Sequence, residues 1–408
     1  MPNLSVLKST VFCLFLFLSG CKGNSQSKQE DLEANPKAAP KEIIVGANRT
    51  EAYLPLLKDK SVAIVANPTS VIFKSNGYAH LVDSLVAHQI NIQKVFAPEH
   101  GFRGKADAGE LVADGMDKKT GLPIVSLYGK NKKPSQSQLE GIELVVFDIQ
   151  DVGVRFYTYI ATLQLVMEAC AENDIPVVVL DRPNPNGHYV DGPTMEKKHT
   201  SFLGMTTIPL VYGMTIGEYA QMLNGETWLV NGLKANLTVI PLENYTHTSS
   251  YSLPIRPSPN LPNDISINLY PSLGLFEGTN VNAGRGTEFQ FQRYGASFMD
   301  STHYEFRYVP KPNFGSKYPK EEGKTCFGMD LSAHAEMNSV SLEWLIDGYK
   351  NTLDKSKFFK TDSFTKHSGT TVLQKQIESG LTEEEIKNTW SENLKDFKAI
   401  REKYLLYD

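Results

Sequence analysis

Over the first 250 residues, short runs that are apolar at nearly every position alternate with stretches whose apolar positions recur every three or four residues. The runs at 41–47, 61–66, 92–97, 123–128, 144–149 and 176–180 are rich in Val and Ile. They are predicted to be strands covered on both faces. Residues 78–89 place Leu81, Val82 and Leu85 on one side, and residues 159–172 do the same with Ile160, Leu163, Met167 and Cys170. Both stretches predict helices, with Cys170 as a plain core residue. Thr215-x-x-Glu218 is a capping box that opens another helix, and 237–240 reads as a further strand. Buried strands separated by amphipathic helices predict an α/β domain over residues 42–250: a Rossmann-like, mostly parallel sheet flanked by helices.

Beyond residue 250 the pattern changes. Residues 251–271 contain five Pro and are expected to form an extended connection, with 257–262 as a rigid spacer. Residues 274–298 are rich in Gly, Phe and Asn. Helical periodicity returns at 341–349, at the capped acidic start Thr382-Glu383-Glu384-Glu385, and in a last helix aligning Leu394, Phe397, Ile400 and Tyr404. A smaller α+β domain over 251–408 is expected.

The N-terminus does not fit either domain. Lys8 precedes an apolar run from Val11 to Leu18 that is too short to span a bilayer, and Leu18-Ser19-Gly20-Cys21 follows. Residues 1–21 are read as a lipoprotein signal ending at a lipidated Cys21. Residues 22–41 are polar and then Ala/Pro-rich, as expected of a disordered tether. Lys22 is not the Asp that commonly holds such proteins at the inner membrane. The expected location is therefore the cell envelope, at the outer membrane facing the periplasm, with membrane contact through the lipid anchor only.

Composition narrows the chemistry. The 408 residues suit two domains. The 41 Lys and Arg against 46 Asp and Glu leave a formal charge of −5, which argues against a nucleic-acid partner. No Gly-x-Gly-x-x-Gly follows the first strand, no Gly-x-x-x-x-Gly-Lys-Ser/Thr phosphate loop is present (Gly323-Lys324-Thr325 has Tyr318 where the first Gly would stand), and no His-Glu-x-x-His or Gly-x-Ser-x-Gly occurs. Neither a cofactor nor a metal is expected. The predicted strands are instead followed by polar loops: Asn67-Pro68-Thr69-Ser70, Pro98-Glu99-His100-Gly101-Phe102-Arg103-Gly104, residues 148–157, and Asp181-Arg182-Pro183-Asn184-Pro185-Asn186-Gly187. Open α/β sheets bind ligands beyond the carboxyl ends of their strands. Four such loops predict one shared cleft of carboxylates, amides and Arg. With 10% aromatic residues, it suits a carbohydrate. The second half adds Phe276-Glu277-Gly278-Thr279-Asn280 and Gly284-Arg285-Gly286-Thr287, where glycine would let backbone approach a ligand.

The blocks at 98–104, 147–159, 180–185, 257–262, 276–280 and 284–287 resemble the exo-acting β-N-acetylmuramidases, peptidoglycan-recycling glycosidases long catalogued as a domain of unknown function. The resemblance runs from about residue 42 to the C-terminus. It implies a Rossmann-like domain without bound dinucleotide and a smaller C-terminal domain closing a cleft over the substrate. The implied activity is release of N-acetylmuramic acid (MurNAc) from the non-reducing end of fragments such as MurNAc-GlcNAc.

Most glycosidases need two carboxyl groups. Glu99, at the end of a buried strand, is the expected general acid, and Glu277 the second catalytic group. Asp148 and Asp151 compete for that second role, or bind hydroxyls and orient the acetamido group. MurNAc carries a lactyl carboxylate, which calls for a cation; Arg155 and Arg285 are candidates, then Arg182. His100, Asn186 and Asn280 complete the expected substrate-binding set. Two rivals stay open: a lipid-anchored muropeptide-binding protein without chemistry, and a glycosidase for another 2-acetamido sugar.

Overall fold

The computed structural model describes residues 41–103 and 114–408. The expected signal segment with Cys21 lies outside the described residues, as does the expected tether apart from Lys41. Residues Glu42–Asp408 group as one compact unit. Twelve strands are described: β1 (Val62–Ala66), β2 (Val71–Lys74), β3 (Gly77–His80), β4 (Ile92–Ala97), β5 (Gly115–Met116), β6 (Pro123–Ser126), β7 (Leu144–Asp148), β8 (Val177–Leu180), β9 (Leu237–Ile240), β10 (Arg293–Ala296), β11 (Phe306–Tyr308) and β12 (Cys326–Asp330). The main sheet has the order β5-β6-β4-β1-β7-β8-β9, parallel throughout except for the edge pair β5–β6. Renumbered in chain order, its six parallel strands run 3-2-1-4-5-6, the doubly wound arrangement, whose order reverses between β1 and β7.

Alternation along each strand divides the core. Val62, Ile64, Leu144, Val146 and Val178 pack with Tyr53 and Leu57 of α1 (Thr50–Leu57) and Leu81, Val82 and Leu85 of α2 (Leu81–Ala87). Ala63, Val65, Val145, Phe147 and Val177 face the other way. They pack with α4 (Tyr159–Glu172; α3 is the short Gln136–Leu139) and α5 (Ile216–Gly225). This second core continues without a break through α6 (Asp264–Leu273) to Phe364 and Phe397. The C-terminal region therefore shares one apolar core with the main sheet. Its own sheet is small and antiparallel, in the order β10-β12-β11.

Three local expectations differ from the fold. The run at 41–47 forms no strand; Ile44 makes one isolated bridge to Glu243, and Gly46–Asn48 is a 3-10 turn. Residues 78–80 belong to the β2–β3 hairpin, and the helix begins only at Leu81. The Pro-rich connection is not extended throughout, because Asn263 caps Ser266 N–H and starts α6, with Pro271 inside it. The capping boxes at Thr215 and Thr382 form as expected. Cys170 and Cys326 are buried free thiols. No helix among the described residues is long and apolar enough to cross a membrane.

Candidate active site

The carboxyl ends of the strands at the sheet's reversal point are packed shut. Arg182 Nε and Nη2 donate to the two Asp148 oxygens at 2.6 and 2.9 Å, and Nη2 also donates to Val71 O at 2.9 Å. Both side chains are sealed, at 2% and 0% exposure. Ser70 Oγ donates to Asp148 O, and Gln150 N–H donates to Thr69 Oγ1. Asp151 accepts from Gly153 N–H at 2.7 Å and from the Tyr212 hydroxyl. Burial pushes the Asp151 carboxyl up to about 6 despite those donors. Asp181 accepts from Thr215, Gly217 N–H and Tyr407.

The expected shared cleft therefore takes in only part of these loops: Phe156 and Tyr157 of 148–157 line it, whereas Asp148, Asp151, Asp181 and Arg182 do not. Asp148 and Asp151 point to different partners, and the turn between them is not helical. Arg155 is buried and donates to four carbonyls, of Pro193, Ile208, His367 and Ser368. With no carboxylate beside it, burial lowers its guanidinium to about 9. Asn186 donates to Val152 O and Ile267 O, and Asn280 to Lys357 O. Asp148, Asp151, Arg155, Arg182, Asn186 and Asn280 all lie away from the cleft that holds the two glutamates. A buried polar group must find partners inside the protein, and most of these side chains spend their donors and acceptors there.

Glu99, His100, Glu277 and Arg285 come together in one cleft of about 640 Å³, a size that suits a small ligand. Glu99 leaves the end of β4 on a sharp turn, in which His100 and Gly101 both take positive φ (70° and 73°). Its Oε1 lies 3.1 Å from the Tyr128 hydroxyl and its Oε2 3.4 Å from Thr158 Oγ1. His100 Nε2 contacts the Ser258 hydroxyl at 3.2 Å. Glu277 comes from the other half, on the 3-10 turn Gly274–Gly278 that follows α6. That turn is wedged tightly: a Cβ on Gly274 would meet the Phe156 ring at 2.5 Å, and one on Gly278 would meet Phe364 Cα at 2.4 Å.

Glu277 is a fixed anion. Its side chain is 21% exposed, with Arg285 Nη1 at 3.0 Å and Lys320 Nζ at 3.9 Å. Burial alone would raise its carboxyl; Lys320, Arg285 and His367 outweigh that and hold it at about 2. Lys320 is itself tied to Phe276 O at 2.8 Å and Glu277 O at 3.2 Å. Burial lowers its ammonium to about 8, against the pull of Glu277. Arg285 Nη2 also donates to Gly315 O at 3.3 Å. Beside this ion pair a side hollow of about 150 Å³ is lined by Glu277, Arg285, Ser316, Tyr318 and Lys320.

Several cleft residues carried no sequence signal. Lys132 Nζ sits 4.3 Å over the Phe202 ring, and both line the cleft with Tyr128, Tyr270, Lys366 and His367. They come from loops and helices far apart in the chain, where nothing in spacing marks them. A separate hollow of about 400 Å³, bordered by residues 248–252 and α6, holds neither glutamate. Among the described residues no group of three His, Cys, Asp or Glu is placed to hold a metal.

Comparison with known proteins gives the family. Residues 62–265 match the N-terminal model of the exo-β-N-acetylmuramidase NamZ, and residues 268–407 match its C-terminal model. The peptidoglycan β-N-acetylmuramidase NamZ of Bacillus subtilis is 38% identical over 374 residues, 87% of this chain and 89% of the relative. Crystal structures of two DUF1343 family proteins from Bacteroides fragilis are similar. One is 44% identical with a TM-score of 0.83, the other 28% identical with a TM-score of 0.76; each comparison covers 90% of this chain and 99% of the other. The chain thus belongs to the exo-β-N-acetylmuramidase NamZ family.

Proposed function

We propose that the Glu99–Glu277 cleft carries out the family's reaction in this chain. The protein is an exo-acting glycoside hydrolase that releases MurNAc from the non-reducing end of peptidoglycan fragments such as MurNAc-GlcNAc. The reaction needs one proton for the leaving oxygen and a second group at the anomeric carbon. Glu277, held ionised by two cations, is unsuited to donate the proton. Glu99 in its acid form supplies it, and Glu277 presents negative charge to the anomeric carbon or to the attacking water. Environment divides two like residues between two roles. Arg285 is the only one of the three arginine candidates that lines the cleft, and the side hollow next to it suits the lactyl carboxylate.

The observation that carries this reading is the convergence of two glutamates from separate halves of the chain, one of them locked as an anion. The test is incubation with MurNAc-GlcNAc and measurement of the free monosaccharides. Wild-type protein is expected to release both sugars, and Glu99→Gln to lose the activity while staying folded. Near-normal turnover by Glu99→Gln would remove Glu99 from the mechanism. The anchor at Cys21 would hold this activity at the outer membrane; a Cys21→Ser protein is then expected in the soluble fraction, and its retention in the membrane fraction would refute the anchor.

A further inference from the structure

Three tyrosine hydroxyls at the cleft have acceptors: Tyr128 bonds Glu99 Oε1, Tyr157 bonds Pro257 O, and Tyr159 reaches Glu99 O. Tyr270 lines the same cleft from α6, and its hydroxyl forms no hydrogen bond with any described residue. Its ring is held edge-on by Phe291 at 4.8 Å, Phe156 at 5.2 Å and Tyr157 at 6.1 Å, with interplanar angles of 76°, 89° and 86°. A ring held on three sides has little freedom to turn away, and a tyrosine hydroxyl in such surroundings normally finds a partner. The charges acting most strongly on this hydroxyl are Glu277 first and Glu99 second. The partner is therefore missing from a position that both carboxylates face.

We propose that Tyr270 is a third catalytic residue, donating its hydroxyl hydrogen bond to the 2-acetamido carbonyl of the sugar held between Glu99 and Glu277. The assignment rests on the reading of those two glutamates as the catalytic pair. Burial, Glu277 and Glu99 all push the phenol above its ordinary range, with Arg285 opposing, so the group stays protonated and acts as a donor, not as a base or nucleophile. Close to the anomeric carbon, the amide carbonyl is the strongest neutral acceptor the sugar offers. The ring oxygen is a poor one, since it gains positive character in an oxocarbenium-like transition state. A fixed donor there sets the anomeric carbon in line with both carboxylates before reaction, and such positioning appears in the rate.

The test is steady-state kinetics of Tyr270→Phe on a chromogenic MurNAc glycoside. The substitution keeps the ring and removes only the hydroxyl. A loss of about 10–100-fold in kcat/KM is expected, carried mainly by kcat, with an unchanged melting temperature. On the matching glycoside with a free 2-amine in place of the acetamido group, variant and wild type are expected to be equally slow. Kinetics within twofold of wild type on the MurNAc glycoside would overturn the proposal. So would an activity loss that follows a drop in melting temperature, or an undiminished gap on the 2-amino substrate. A wild type that leaves the MurNAc glycoside intact would instead refute the enzyme reading, independently of Tyr270.

Discussion

Two polar regions of this protein look alike in composition and behave in opposite ways. At the sheet's reversal point, between β1 and β7, Asp148, Asp151, Asp181 and Arg182 are sealed and tied to partners within the chain. This is the place where doubly wound sheets usually take their ligands. The second region lies beyond β4, where Glu99 faces Glu277 from the far half of the chain across an open cleft. The first region's network mostly satisfies itself, leaving little to offer a ligand. The second keeps Glu277 between Arg285 and Lys320, Glu99 beside Tyr128 and Thr158, and Tyr270 with no acceptor among the described residues. A polar loop after a strand therefore marks a site only when the fold leaves its side chains facing a cleft.

Exchanging one member of each region gives the sharpest contrast. Glu99→Gln is expected to lower kcat by about 10²–10⁴-fold, in line with the loss of a general acid, with urea unfolding unchanged. Asp148→Asn should do the reverse: about 3–5 kcal/mol less stability, because it leaves Arg182 buried without its countercharge, and near-normal kcat for the molecules that remain folded. If Asp148→Asn abolished turnover without loss of stability, the division between the regions would fail. Arg285→Ala is expected to reduce the preference for MurNAc over GlcNAc glycosides by about 10–100-fold, the size of one charged hydrogen bond. An unchanged preference would move lactyl recognition elsewhere in the cleft.

The smallest effect is a pH dependence that belongs to the sealed region. The folded-state pKa of Asp151 is raised by burial to about 6, above its unfolded value. Its contribution is therefore fully present below the unfolded pKa and is lost as pH rises through about 6, on the order of 3 kcal/mol. Asp181 is raised to about 6 as well, chiefly by burial, and acts in the same direction. Melting temperature should fall between about pH 4 and 6, and Asp151→Asn should flatten part of that fall, Asp181 accounting for the rest. An identical slope in the variant would mean that Asp151 does not titrate in this range. Glu277 has the opposite sign: held at about 2, it stabilises the fold above its unfolded pKa and loses that effect only as pH falls through about 2.

Much of the fold was legible because its causes are local. The mostly apolar runs from residue 61 onward became β1, β4, β6, β7, β8 and β9, and the Thr215 and Thr382 boxes closed on Glu218 and Glu385 as their spacing requires. Expectations failed where a neighbour distant in sequence decided the outcome. Residues 41–47 have strand composition but gain only the one bridge to Glu243, and α6 forms in a Pro-rich stretch because Asn263 caps it.

The sequence by itself determined which segments are buried, in what order strands and helices follow, and that Glu99 ends an apolar run while Glu277 stands among glycines. Side-chain period and capping depend on residues a few positions apart, so one chain carries that information in plain order. Only the tertiary structure decided which carboxylates line the cleft. Asp148 and Glu99 both follow an apolar run, yet Arg182 closes on Asp148, while Glu99 meets a cleft whose far wall comes from α6 and the turn after it. Burial and countercharge depend on which side chains the fold brings within a few ångströms, and Lys320 beside Glu277 is a neighbour that no spacing in the chain foretells.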